Sequence, residues 1–405
     1  MSIVVQKYGG SSLADAEKIR NVARRIVRAK EQGNQVAVVA SAMGDTTDDL
    51  IKLARQVTDQ PDKREMDVLL HTGELVSCTL LAMALKKMGH NAISLSGAQA
   101  GIRTDKSHSQ ARIRDVDPER MRRELDAGNI VIIAGFQGVT DDLDVTTLGR
   151  GGSNTTAVAV AAALGAKVCE MYTDVEGVYT ADPRIVPEAK KVPEIGFEEM
   201  LELATYGSNV LHNRSVELAE VYNIPILVAS SFKEAPGTLI HGGITMEVRN
   251  KVRGITQDLN VAKITVAGVP DKPGIAAAIF DPLAKAGVSV DTIVQNASVS
   301  GITDLTFTTT KGDMKKALEI VEPLVKGIGA RDVVADSSLA KVSIVGTGMQ
   351  NTPGYAARMF RVLFEAGINI QLITTSEIRI TVIIAGDRVN EAVRALHKGF
   401  ELEKV

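Results

Sequence analysis

Tryptophan is absent from this 405-residue chain and aromatic residues make up only 3% of it, leaving few flat platforms on which bases could stack. There is no basic excess either: 46 Lys and Arg stand against 49 Asp and Glu, a net charge of -3, which gives a polyanion no field to follow. Both absences disfavour nucleic-acid binding. Cysteine is scarce as well. Cys78 and Cys169 each sit in an apolar segment without metal-ligand spacing to one another or to His, so they read as buried thiols and no protein-held metal site is expected. No apolar run is read as long enough to span a membrane, and the first residues pass straight into a strand-like run without a charged leader. The expectation is a protein of the reducing cytoplasm, with neither membrane nor nucleic acid among its partners.

Hydrophobic residues at 45% and charged residues at 23% are the balance of a globular chain, and its length calls for two or three compact units. The first half alternates strand-like and helix-like periods. Residues 3–7 read as a strand, and Ile19, Val22, Ala23, Ile26 and Val27 form one helical face that Gly33 closes. Strands follow at 36–40, 91–96 and 130–134, with a long helix from about 66 to 87; a helix at 154–164, a strand at 168–172 and a strand at 226–229 complete the pattern. This is the signature of an α/β unit with a mainly parallel sheet. Turn-rich residues 235–243 end it. Beyond them the chain repeats itself: Pro273-Gly274 and Ala286-Gly287-Val288 return 80 residues later as Pro353-Gly354 and Ala366-Gly367-Ile368. Each copy reads as a ferredoxin-like βαββαβ unit, with strands at 263–269, 288–293 and 303–309 and helices at 276–285 and 314–324 in the first. Such small units pair with each other or with a second chain. The expected domains are 1–245, a linker or strand at 246–261, and two βαββαβ domains at 262–337 and 338–405.

Chemistry concentrates in the first domain. Lys7-Tyr8-Gly9-Gly10-Ser11-Ser12 lies between a strand and a helix, where missing side chains let backbone N–H groups approach phosphate oxygens. Lys7 precedes the glycines, so this is not the usual P-loop, and a Gly-Gly turn can also be purely structural. A second cradle, Leu148-Gly149-Arg150-Gly151-Gly152-Ser153-Asn154, again precedes a helix, and Arg150 can clasp a carboxylate bidentately. Ser41-Ala42-Met43-Gly44, with Thr47 and Asp48, follows the second strand, where ligands collect in open α/β sheets. Glu74 interrupts an apolar helix and faces either solvent or a cation. Thr173-Asp174 ends another strand, followed by Tyr179, Asp182, Pro183 and Arg184 in a turn-rich stretch.

Through residues 7–12, 41–48, 72–74, 146–153 and 173–184, together with the double repeat, nearly the whole chain resembles the aspartokinase family of the amino-acid-kinase fold, with two C-terminal ACT domains. The resemblance implies transfer of the ATP γ-phosphoryl group to the side-chain carboxylate of L-aspartate, with Mg²⁺ arriving on the nucleotide. It implies that Lys7 neutralises the transferring group while Gly9, Gly10 and Ser11 cradle it, and that Tyr8, Ser41, Thr173, Asp174, Tyr179, Asp182 and Arg184 belong to the ATP site. Thr47, Glu74, Arg150, Gly151, Gly152 and Ser153 would hold aspartate, Glu74 meeting the ammonium and Arg150 a carboxylate. Lysine, threonine or both would be effectors of the kind that ACT domains bind, and the chain would be a homo-oligomer or an assembly formed through those domains. The first effector site would use Asp271, Lys272, Pro273, Gly274, Ile275 and Ala276 with Gln295 and Asn296; the second would use Thr352, Pro353, Gly354 and Tyr355 with Asn369, Ile370 and Gln371. The family often has Glu at the position of Ile275. Residues 254–259 would lend a strand to the second sensor.

Two departures touch the catalytic centre. The family's pattern has Asp where this chain has Asn154 and Lys where it has Asn209. In related kinases these groups are an aspartate and the second of the two lysines that it orients around the moving phosphoryl group. An acid and its basic partner are thus lost together, which strands no single charge. Two readings follow: a working aspartokinase with a modified centre, or a weakly active or inactive homologue that senses amino acids or scaffolds.

Overall fold

The structure, a computed structural model, describes residues 2–208, 210–242, 252–296, 301–349 and 352–404. Asn209 and much of the expected linker lie outside the described residues. The chain divides into two compact units: Met1–Tyr179 with Lys191–Glu247, and Thr180–Lys190 with Val248–Val405.

In chain order the first unit contains β1 (Ile3–Tyr8), α1 (Ala16–Glu31), β2 (Gln35–Ala40), α2 (Thr46–Val57), α3 (Lys63–Leu70), α4 (Thr72–Lys87), β3 (Ala92–Leu95), β4 (Ile102–Thr104), β5 (Ile113–Val116) and α5 (Glu119–Asp126). It continues with β6 (Ile130–Ala134), β7 (Gln137–Val139), β8 (Val145–Thr147), α6 (Gly152–Leu164), β9 (Val168–Thr173), β10 (Glu194–Gly196), α7 (Phe197–Thr205), α8 (Asn213–Val221), β11 (Ile226–Ser230) and β12 (Thr238–His241). Eight strands form one sheet in the order β10-β12-β11-β9-β1-β2-β6-β3. All its pairs are parallel except β11 with β12. The apolar runs of β2 and β6 explain their central places: residues 36–40 and all of β6 are buried, as strands covered on both faces require. From β1 the sheet grows towards β2, β6 and β3 on one side and towards β9, β11 and β12 on the other. The order of strands therefore reverses between β1 and β9, the kind of switch point at which ligands bind.

Three details differ from the sequence-based expectation. The helix expected over 66–87 is two helices meeting at His71, where side chains compete for backbone acceptors: His71 Nδ1 lies 2.5 Å from the Val68 carbonyl and Thr72 Oγ1 donates to that of Leu69. A second, small sheet in the order β5-β4-β7-β8 was not anticipated, because its strands are only three or four residues long. Third, residues 63–87 together are long and apolar enough, by length and hydropathy alone, to cross a membrane. They carry Asp67 and Glu74 buried within the fold, and α4 packs on β2, β3, β6 and α1, so this is a core segment.

The second unit contains β13 (Gly254–Asp258), β14 (Ala262–Pro270), α9 (Ile275–Lys285), β15 (Ile293–Gln295), β16 (Ile302–Thr309), α10 (Met314–Ile328), β17 (Asp332–Asp336), β18 (Leu339–Val345), α11 (Tyr355–Glu365), β19 (Leu372–Thr375), β20 (Arg379–Ala385) and α12 (Val389–Gly399). Its antiparallel sheets have the orders β15-β16-β14-β17 and β13-β18-β20-β19. The first is the ferredoxin-like order. In the second, β13 pairs with β18 and occupies the place of the fourth strand, as residues 254–259 were expected to do. The repeat is visible in the backbone, since Gly274 and Gly354 open equivalent helices at φ 93° and 105°, a left-handed conformation that favours glycine. The strand expected over 288–293 is shorter and later, because the Val288 amide closes α9 by donating to the Leu283 carbonyl.

The two copies pack against each other with reciprocal contacts. Lys263 of the first donates to Gln371 of the second at 2.7 Å, and Lys341 of the second pairs with Asp291 of the first. Val261, Leu339, Leu372 and Ile383 fill the space between them, with Val294 packed alongside. Thr180–Lys190 joins this unit through Ala181 and Val186, which are buried with residues of α11 and α12.

Candidate active site

The carboxyl ends of the parallel strands gather most of the sequence-derived site residues. In register, Tyr8 lies beside Ala40 and Tyr172, Ala40 beside Ala134, and Thr173 beside Ser230. The turn after β1 and the turn after β2 touch back to back. Gly44 donates its amide to the Gly10 carbonyl at 3.0 Å, and a Cβ on Gly10 would come within 2.9 Å of the Ala42 oxygen. Lys7, half-buried on β1, lies over this turn, its Nζ 3.4 Å from where a Cβ of Gly9 would be. Burial pushes its ammonium down to about 8, and the nearby Cys169 and Asp174 oppose the shift. Tyr8 gives its ring to the core, stacked on Tyr172 at 5.0 Å. Ser12 bonds Ser231, whose amide and hydroxyl both reach the Thr173 carbonyl, and Thr173 bonds Asp174 at 2.9 Å.

Glu74 is the most informative side chain here. It is 3% exposed in the first turn of α4, so the solvent alternative is excluded. One carboxylate oxygen accepts from the Ala42 amide at 3.2 Å, while the other is buried without a hydrogen-bond partner. Burial pushes the carboxyl up to about 8. A buried acceptor of this kind is a standing cost that a cation would relieve. Gly73 makes the approach possible, since a Cβ there would lie 3.0 Å from that of Ala42. Ser41 and Thr47 are half-buried in the same region, Ser41 accepting from the Ser77 hydroxyl.

The second cradle sits at the N-terminus of α6, a helix packed on β1, β2 and β9. Gly151 caps it at φ 70°, and a Cβ there would fall 2.3 Å from His212. Ser153 is buried against Gly135 at the end of β6, Asn154 is half-buried and Arg150 is exposed. The helix N-terminus adds positive potential to this edge. Three supporting residues were missed in the sequence. Arg214 donates to the carbonyls of Leu148 and Ala111, His212 packs on Gly151, and Asp67 accepts from Thr147 and Ser109. Asp67 lies in α3, whose sequence KREMDVLL is half charged, so unlike Glu74 it did not stand out; Arg214 and His212 had no local signal.

Tyr179 is half-buried in the first unit, whereas Asp182 and Arg184 belong to the second. Arg184 clasps Asp182 at 2.7 Å and holds its carboxyl below the ordinary value. In the first ACT-like copy Asp271, Lys272, Pro273, Gly274, Ala276, Gln295 and Asn296 are exposed, and Ile275 is buried. In the second, Pro353, Gly354, Asn369 and Gln371 are exposed, and Thr352, Tyr355 and Ile370 are half-buried. Cys78 and Cys169 are buried free thiols, each pushed far up by burial.

The opposed shifts of Lys7 and Glu74 predict a bell-shaped activity profile. If, as the resemblance implies, Glu74 holds an ammonium it must first lose its proton, so activity would rise with pH up to about 8, and if Lys7 holds a phosphoryl group it must keep its proton, so activity would fall above about 8. Initial rates of kcat/KM against pH check this, and a flat profile between pH 6 and 10 would contradict it.

Residues 2–230 match the amino acid kinase family, and residues 263–325 and 342–400 each match the ACT domain. The chain is 53% identical to an aspartokinase of Mycolicibacterium smegmatis over 99% of its own length and 97% of the relative's. Among solved structures, E. coli aspartokinase III in complex with aspartate and ADP (R-state) superposes with a TM-score of 0.83 at 26% identity, covering 98% of this chain and 99% of that one. The same enzyme in complex with lysine and aspartate (T-state) gives 0.75 at 26% identity and the same coverage. With an amino acid kinase domain, two ACT domains and kinship over its full length, the chain belongs to the aspartokinase family of phosphotransferases.

Proposed function

We propose that the protein transfers the γ-phosphoryl group of ATP to the side-chain carboxylate of L-aspartate, giving β-aspartyl phosphate. The observation that carries this reading is the pairing, at one sheet edge, of a lysine over a glycine turn with a buried, half-satisfied glutamate. Lys7 holds the transferring group against the backbone of Gly9, Gly10 and Ser11. Thr173, Asp174 and Tyr179 border the nucleotide. Glu74 binds the substrate ammonium, and Arg150, Thr47 and Ser153 bind and orient its carboxylates. The carboxylate is already a nucleophile, so the protein contributes position and charge rather than a covalent intermediate. Among the described residues no group of three His, Cys, Asp or Glu could hold a metal. On this reading Mg²⁺ would come with ATP, bound by phosphate oxygens and water, and would supply charge neutralisation there. ADP release that depends on L-aspartate tests this reading; release indifferent to aspartate would overturn it.

On this reading lysine, threonine or both bind the ACT domains and inhibit; the complex of E. coli aspartokinase III with lysine and aspartate supports lysine as a ligand. An effector acts only by preferring one arrangement of the chain. On this reading the enzyme opens the lysine, threonine and methionine pathway in the cytoplasm, as a homo-oligomer or an assembly formed through its ACT domains.

Asn154, at the start of α6, supports a second reading, a weakly active homologue that senses amino acids or scaffolds. Restoring the family's pattern with Asn154→Asp together with Asn209→Lys is expected, on this second reading, to raise kcat at least roughly tenfold. Asn154→Asp alone leaves an acid without its base and is expected to give no gain. A steady-state kcat unchanged in the double variant removes the second reading.

A further inference from the structure

We infer that Asp67 is a positioning residue of this reaction: it holds the glycine-rich turn that presents Arg150 to the substrate. The inference rests on the function proposed above, in which Arg150 meets a carboxylate. Asp67, on α3, is fully buried. Its carboxylate accepts from the Thr147 hydroxyl at 2.5 Å and from the Ser109 amide at 3.0 and 3.1 Å, and it lies 2.9 Å from His108 Nδ1. A carboxylate can only accept, so Nδ1 carries the proton in that contact.

These partners share a location. Thr147 is the last residue of β8, three before Arg150, and its carbonyl accepts from the Ala111 amide at 2.9 Å. His108 and Ser109 lie in the loop between β4 and β5, which approaches so closely that a Cβ on Gly149 would come within 3.1 Å of the Ser109 oxygen. On the far side of the turn, Arg214 donates to the carbonyls of Leu148 and Ala111 at 2.7 and 3.1 Å. The backbone entering Arg150 is thus fixed by a buried carboxylate and a guanidinium acting on the same loop and the same turn. Packing alone does not call for a buried carboxylate here, since an apolar side chain of similar volume generally serves packing as well or better. What the carboxylate adds is several directed bonds that set the register of loop and turn.

Asp67→Asn keeps the volume but turns one acceptor into a donor facing groups that already donate. The expected result is a KM for L-aspartate raised about 10- to 100-fold, with KM for ATP within about twofold of wild type. Thr147→Val, which removes one bond to the same carboxylate, is expected to shift KM for aspartate the same way by a smaller factor, and it serves if Asp67→Asn does not fold. Leu85→Ala, in the core of α4, is the control for lost stability and is expected to lower Tm without separating the two KM values. Wild-type turnover with both KM values unchanged, or moved equally, in the Asp67 and Thr147 variants overturns this inference alone. No aspartate-dependent turnover in the wild type overturns the proposed function, and this inference with it.

Discussion

Lys7→Met is expected to lower kcat by at least about 10³-fold and to leave the protein folded, because preorganised charge on the moving phosphoryl group is commonly the largest catalytic contribution. On the proposed reading, with Asn209 where the family's pattern has a second lysine, Lys7 would carry a greater share of that charge. Stability should change the other way. Burial lowers the Lys7 pKa from 10.5 to about 8, so the folded state binds the proton less tightly than the unfolded chain. The resulting cost grows as pH falls from 10.5 to about 8 and is constant below. Methionine removes it, for a gain of about 1–3 kcal/mol at pH 7 after allowing for the partial exposure of Lys7. Calorimetry beside ADP-release kinetics checks both parts. A variant as active as the wild type would show that the phosphoryl group is held elsewhere.

On the proposed reading, Glu74→Gln is expected to raise KM for L-aspartate by at least about 10²-fold, since the substrate ammonium would lose the buried carboxylate that meets it. Here too stability should rise. The Glu74 pKa climbs from 4.5 to about 8 on folding, so its cost appears as pH rises above 4.5, grows to about 8 and stays constant beyond. Relief on the order of 2–3 kcal/mol is expected at pH 7, fading towards pH 4.5. Glutamine can still accept from the Ala42 amide, so the first turn of α4 keeps its anchor. Equal KM values for the two proteins would place the ammonium away from Glu74.

The fold was legible wherever periodicity ran long. The apolar runs of β2 and β6, the alternation up to β11 and the 80-residue repeat all appear as expected, because strands buried on both faces and duplicated helix starts leave strong local patterns. The small sheet β5-β4-β7-β8 was not legible, since strands so short carry no period. The break at His71 was hidden for a different reason: side chain to backbone bonding, rather than a proline or glycine, divides the helix.

The site follows the same division. Glycine turns at strand ends revealed the cradles, and a carboxylate in an apolar helix revealed Glu74. Asp67 sits among other charged residues of α3, and its partners Ser109 and Thr147 lie 42 and 80 residues away, so its role needed the tertiary structure. Arg214 lies 66 residues beyond the Leu148 carbonyl that it holds. Support for a turn comes from wherever the chain returns, and no local spacing encodes it.

The central claim is an acyl phosphate made on aspartate, and trapping it with hydroxylamine is the most direct measurement. With ATP, Mg²⁺ and L-aspartate, hydroxamate should accumulate in step with ADP, slow on addition of lysine or threonine, and fail to form with other small carboxylates. ADP release without hydroxamate, or no product from aspartate while ATP still binds, would contradict the account and favour a homologue that senses rather than catalyses.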